Sequence, residues 1–289
     1  MFEIRRYTSD QADAWNQFVA QSKNGTFLID RRYMDYHSDR FHDHSMMVYR
    51  RGKLYALLPG NVSADTFYSH QGLTYGGLIM NEKTTAAEII HVFRLLNGQL
   101  RTEGLRRVVY KPIPWIYHKQ PSEEDLYAIV EVCGASLTRG LSSAISSERQ
   151  NKWYRIRECG ARHAKQTGIT IEETENYLPF WQILTANLRE RYGLNPVHSL
   201  EEMEMLHHRL PENIRLVIAK EEDDVIGGGY CMFLTVWCTL SILRLAHVAS
   251  NCMLLTISLR WLLQIHYGRM PISTLVFLQK SMVHILMNN

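Results

Sequence analysis

The sequence predicts an α+β protein of two αβ lobes, the second cut short. Three observations predict it. A chain of 289 residues is long for one core and comfortable for two. Two successive stretches repeat one plan, helices followed by a meander of strands. Near Thr235 the chain changes character: from Val236 to Asn289 no Asp or Glu occurs, while Leu, Ile, Met, Ser and Cys crowd in without the period of a helix or strand. We divide the chain into 1–145, 146–235 and a tail, 236–289.

In the first lobe, Phe2, Ile4 and Tyr7 suit an opening strand. Ser9-Asp10 then caps a helix whose Ala14, Trp15, Phe18 and Val19 recur at helical spacing. Arg31 to Phe41 reads as a short second helix. Met46–Tyr49 and Leu54–Leu58 flank Arg51-Gly52-Lys53, a hairpin signal with Gly at the turn. Phe67–Ser69 and Leu78–Met80 read as short strands around Gly76-Gly77. Thr84–Glu103 is strongly amphipathic and closes at Gly104. Leu105–Lys111 is a strand stopped by Pro112 and Pro114, Glu123–Cys133 a helix, and Ser136–Ile145 a strand pair.

The second lobe opens with a basic helix, Asn151–Thr167, ended by Gly168. Ile169–Glu172 reads as a strand, and Asn176–Arg191 and Leu200–Leu210 as helices. Ile214–Ala219 and Val225–Leu234 form a hairpin.

Apolar content of 46% and charged content of 21% are ordinary for a globular protein. A net charge of +3 is too small to argue for nucleic acid by itself. The cysteines at 133, 159, 231, 238 and 252 are odd in number and form no C-x-x-C, which suits reduced thiols in a cytoplasm. The start, MFEIRRYTSD, lacks an apolar signal core, and Leu254–Leu263 is too short to span a bilayer.

The genetic code offers a reason for the tail. Reading Pro271–Asn288 one base earlier, with permitted codons, gives Y-F-D-F-G-I-S-T-E-K-H-G-A-Y-L-N-E. The same shift permits V-V-H-T-Q-Y from Val236–Ile242. One step is forced, since Met282 ends in G and Val283 begins GT, which spells Gly. We read the residues after about 235 as out-of-frame translation. An unselected tail should pack poorly between 240 and 289, and its loss should leave Val225–Leu234 as an edge strand.

Thr26–Phe41 (TFLIDRRYMDYHSDRF), Tyr68–Gly77 (YSHQGLTYGG) and Asn195–Leu206 (NPVHSLEEMEML), with the shifted H-T-Q-Y and F-D-F-G-I-S-T strands, resemble the FemAB-like branch of the GNAT acyltransferases. The resemblance runs directly over about 1–235, and through the tail only in the other frame. It implies two related GNAT-like lobes with mainly antiparallel mixed sheets. It also implies acyl transfer from a CoA thioester, acetyl-CoA or another acyl-CoA as cosubstrate, to a small-molecule or cell-envelope amine, with no permanently bound cofactor. Aminoacyl-tRNA is the alternative donor, and RNA binding through the basic helix at 152–165 is a further rival. A truncated, non-catalytic remnant or binding module is the rival from another class. The chain departs from plain GNAT enzymes in lacking their Gly-rich pyrophosphate turn, Q/R-x-x-G-x-G/A.

Candidate site residues fall in two groups. Tyr68, His70, Tyr75 and Gly76-Gly77 cluster. A His can take the proton an amine nucleophile must lose, and Gly lets a substrate approach the backbone. His70 and Tyr75 are the catalytic candidates; the plain alternative is a tight turn with packed aromatics. Arg155, Arg162 and Lys165, within the run Lys152–Lys165, are the candidates for phosphate on the carrier. The plain alternative there is a solvated helix face. His42, His44, His207 and His208 invite a metal, but no third ligand stands at a recognisable spacing, and none is expected.

Overall fold

The computed structural model describes residues 1–138, 143–146, 154–234, 237–245, 274–277 and 282–286, the segments 143–146 and those after 236 by backbone alone. The chain parts into two units, Met1–Leu141 with Gln279–Asn289, and Ser142–Leu278.

The first unit opens with β1 (Phe2–Arg6). A capping box of Thr8 and Gln11, rather than Ser9-Asp10, leads through a 3-10 turn into α1 (Ala12–Gln21), which buries Trp15, Phe18 and Val19. The expected 31–41 helix is one turn, α2 (Arg31–Met34), capped by the Asp30 side chain. It tightens into a 3-10 turn at Asp35–His37, where Asp35, Ser38 and Asp39 offer the backbone competing hydrogen bonds. β2 (Met46–Arg50) and β3 (Lys53–Leu58) form the hairpin. Its turn holds Arg51 and Gly52 at φ 50° and 76°, as a two-residue turn between twisted strands requires. Then come β4 (Asn61–Ser63), β5 (Thr66–Tyr68), β6 (Ile79–Met80), α3 (Ala86–Thr102), β7 (Arg107–Tyr110), α4 (Glu124–Cys133) and β8 (Ser136–Thr138). The first sheet runs β1-β2-β3-β6 and is antiparallel throughout. Ile89, Val92, Phe93, Leu96 and Leu100 of α3 are buried in one core with Met46, Val48, Val108, Tyr110, Ala128 and Ile129.

The second unit holds β9 (Ser143–Ser146), α5 (Arg155–Gln166), β10 (Thr170–Thr174), α6 (Leu178–Tyr192), α7 (Leu200–Arg209), β11 (Ile214–Glu221), β12 (Asp224–Phe233), β13 (Trp237–Leu245) and β14 (Thr274–Phe277). Its sheet runs β10-β11-β12-β13-β14-β9. All neighbours are antiparallel except β13 and β14, which run parallel. α6 lies so close on this sheet that a Cβ at Gly228 would stand 2.9 Å from the Phe180 ring and 2.8 Å from the Val217 carbonyl. The last strand, β15 (Met282–Leu286), belongs to the first unit, where the second sheet runs β4-β5-β7-β15-β8.

Two expectations are corrected. Ser136–Ile145 is not a strand pair: β8 pairs with β15 in one unit and β9 with β14 in the other. Both partners lie more than a hundred residues away, where local pattern says nothing. Nor is Val225–Leu234 an edge, because β13 pairs along it from Phe233↔Cys238 to Gly227↔Leu245. A ladder is made of main-chain N–H and C=O groups, and no proline stands between 236 and 270 to interrupt one. Side-chain packing after residue 240 lies outside the described residues. Among the described residues, no helix is long and apolar enough to cross a membrane.

Candidate functional site

The loop from Ser69 to Leu78 is fastened to β7 and the residue after it. Ser69 N–H donates to the Val109 carbonyl at 2.9 Å, Lys111 N–H to Ser69 Oγ at 2.7 Å, and Gly76 N–H to the Lys111 carbonyl at 2.9 Å. The buried Lys111 Nζ donates to the Leu73 carbonyl from within. Gly76 is demanded by the chain itself, since a Cβ there would lie 2.0 Å from the Ser69 carbonyl oxygen. The closeness to backbone that the sequence suggested for a substrate is taken by this carbonyl.

His70 and Tyr75 share this loop but lie among different neighbours. His70 is 3% exposed, adopts φ 68°, and stacks on His37 at 4.9 Å with Phe41 edge-on. Burial, and then the neighbouring His37, pull its pKa down to about 3. The imidazole is therefore neutral at physiological pH. Its contribution to stability is present above the ordinary value of 6.5 and lost as pH falls toward 3. Tyr75 donates to Thr26 Oγ1 at 3.0 Å and packs on Tyr117, with its phenol pushed up by burial. Both side chains are interior groups of the first unit.

Beneath the loop, Tyr110 Oη accepts from Leu78 N–H at 2.6 Å and donates to Asp125 Oδ2 at 2.5 Å. Burial raises the Asp125 carboxyl from 3.8 to about 6. The folded state thus holds this proton more tightly than the unfolded chain, and the group's contribution to stability falls as pH rises from about 4 to 6. Asp125→Asn removes that dependence. Its stability relative to the parent is expected to improve by on the order of 3 kcal/mol between pH 4 and pH 7. Urea titrations of both proteins at the two pH values measure this, and an unchanged difference would refute it.

In the second unit, α5 carries Arg155, Arg162 and Lys165, all exposed. Helical spacing places them on one side, with Glu158 between them. Arg162 also donates to Cys159 Sγ at 3.4 Å. A cationic stripe is therefore present but broken by a carboxylate. His44 pairs with Glu103 at 2.7 Å. No group of three or more His, Cys, Asp or Glu that could hold a metal occurs among the described residues.

The second unit holds a further cluster that the sequence reading missed. Tyr230 of β12 stacks on Tyr177 at 5.6 Å and meets Phe180 and Trp181 edge-on. His207 of α7 leans on Tyr177 at 5.5 Å. Its Nδ1 lies 2.7 Å from the Ile214 carbonyl, which can only accept, so Nδ1 carries the hydrogen. Nε2 faces Glu175 at 3.8 Å. The sequence signal was the helix period, which puts His207 on the inner face with Met203 and Leu206 and leaves His208 outside. Neither Tyr177 nor Tyr230 stands in a pattern that marks it as a site residue in the sequence. Beside Tyr230 the β12–β13 ladder bulges, from Tyr230↔Ile242 to Cys231↔Leu240, leaving Ser241 out of register. The parallel ladder of β13 to β14 covers only Trp237–Thr239, so among the described residues Leu240–Leu245 has a strand on one side alone.

No protein-family model matches the chain, and no curated protein matches it by sequence. Solved structures do. FemX superposes with a TM-score of 0.66 at 12% identity, over 96% of this chain and 89% of that one. The fold is GNAT-like. L-PGS from Bacillus licheniformis also superposes, at TM-score 0.64 and 8% identity, over 99% and 94% of the two chains. So does a tandem GNAT protein from the clavulanic acid biosynthesis pathway, at TM-score 0.54 and 10% identity, over 100% and 99%. The GNAT-like fold accounts for the α+β class and the mostly antiparallel sheets.

Proposed function

We propose that the function built into this fold is N-acylation: transfer of an acyl group from a CoA thioester to a small-molecule or cell-envelope amine. One observation carries the reading. In a sheet that is otherwise antiparallel, the parallel pair β13–β14 is followed by a stretch of β13 that begins at a bulge and, among the described residues, has a strand on one side alone. Such an edge presents a row of main-chain N–H and C=O groups, which suits the amides of an extended carrier and a developing oxyanion. The likeness to FemX and to the tandem GNAT protein supports the reading at the level of fold.

We also hold that residues after about 235 are translated out of frame and that the chain as it stands lacks turnover. The exposed cations of α5 favour a second donor, aminoacyl-tRNA. Calorimetric titration with acetyl-CoA and with a short RNA, on the chain as it stands and with its frame restored, separates these. Acetyl-CoA is expected to bind the restored chain. RNA binding that weakens steeply with salt and is lost in Arg155→Ala/Arg162→Ala, without any acetyl-CoA binding, would replace the thioester donor by tRNA.

A further inference from the structure

Tyr177 is 1% and Tyr230 0% exposed, and neither hydroxyl has a hydrogen-bond partner among the described residues. A buried phenol O–H left unsatisfied is costly, so two in contact call for an explanation. Burial pushes both phenols up, which keeps the hydrogens on oxygen. Carboxylates stand near them, one of which, Glu173, is paired with Arg215 at 3.6 Å. Glu204 acts on both hydroxyls, and Glu173 and Glu175 on that of Tyr177. At the rim stands His207, 18% exposed, with its tautomer fixed by the Ile214 carbonyl and Nε2 turned toward Glu175.

We infer that Tyr177, Tyr230 and His207 form the binding site for the amino group of the acceptor, with His207 Nε2 as its proton acceptor. This rests on the acyl-transfer reading for its chemistry and names the acceptor end of it. An amino group offers hydrogens that the unused phenol oxygens can accept, and once neutral it keeps its lone pair free for attack. Anionic acceptor groups are disfavoured there by Glu173, Glu175 and Glu204. In the reaction the amine nitrogen attacks the thioester carbonyl carbon. The C–N bond forms as the C–S bond breaks, the amine proton passes to Nε2, and the sulfur leaves as a thiolate that takes a proton to become the thiol. Every residue named lies before 235, so the frame of the tail does not change which residues form the site.

The test is titration of the chain as it stands with ethanolamine, lysine and glycinamide, followed by the imidazole NMR signals of His207, with acetate as control. Saturable shifts are expected with the amines and none with acetate. Tyr177→Phe and Tyr230→Phe are each expected to weaken amine binding about tenfold, by removing one hydrogen bond, without lowering the melting temperature. In the frame-restored chain, His207→Gln is expected to abolish the acidic limb of the kcat/KM profile while leaving acetyl-CoA affinity unchanged. Unmoved His207 signals, or Phe variants that bind amines like the parent, would overturn the site. Absence of thiol release from the restored parent with any acyl-CoA would instead overturn the transfer reading and leave the amine site to the titration.

Discussion

Restoring the alternative frame after Thr235 is expected to raise amine-dependent thiol release from acyl-CoA by at least about two to three orders of magnitude, the scale of loss that follows when a carrier is misplaced. The shifted words coincide in position with two strands of the second unit: V-V-H-T-Q-Y covers the start of β13, and F-D-F-G-I-S-T covers β14. The backbone pairs in these places whatever the side chains are. What the shift alters is the set of side chains beside the bulge, which in the proposed reaction would position the carrier, and positioning is worth several orders of magnitude in rate. Both versions should be expressed and compared by acyl-CoA calorimetry and by thiol release with a panel of amines. Equal binding and turnover would sink the frame argument.

Phe93→Ala should cost about 3–5 kcal/mol of stability, the usual range for a buried Phe truncated in a core that cannot close over the void. Phe93 is 3% exposed, lies 6.0 Å from the Tyr110 ring, and sits among Ile89, Val92 and Leu96 of α3 and Val108 of β7. Collapse is opposed because Tyr110 is held at its hydroxyl by both Leu78 and Asp125. Denaturant midpoints of the two proteins, taken at one pH, measure the difference. A loss below 1 kcal/mol would mean that α3 is not seated on β7 as described.

The reliable parts of the sequence were those in which local pattern and global need coincide. α3 was legible because its five buried residues recur at helical spacing and Gly104, at φ 83°, ends it. The β2–β3 hairpin was legible because only a few residues tolerate two left-handed turn positions. β4, with three residues, is too short to show a period. The partners of β8 and β9 were invisible for a different reason: strand pairing between distant segments leaves no local trace. At the site, sequence could mark Gly76 as a place where something comes close, but not that the visitor is the chain's own Ser69 carbonyl. The helix period could set His207 apart from His208 by face, but not show what it meets there. What distinguishes it is a carbonyl seven residues on and a tyrosine thirty residues back.

The place of β15 reaches beyond architecture. It lies between β7 and β8, so the five-stranded sheet of the first unit is interrupted until the last residues of the chain arrive. The unit that is synthesised first is thus the one that finishes last. While the ribosome makes 142–278, β7 and β8 wait with open edges, the state in which nascent chains are most exposed to aggregation and to chaperones. A single insertion or deletion near codon 235 therefore has two addresses. It rewrites the sheet of the second unit and, through five residues at the far end, the closing strand of the first.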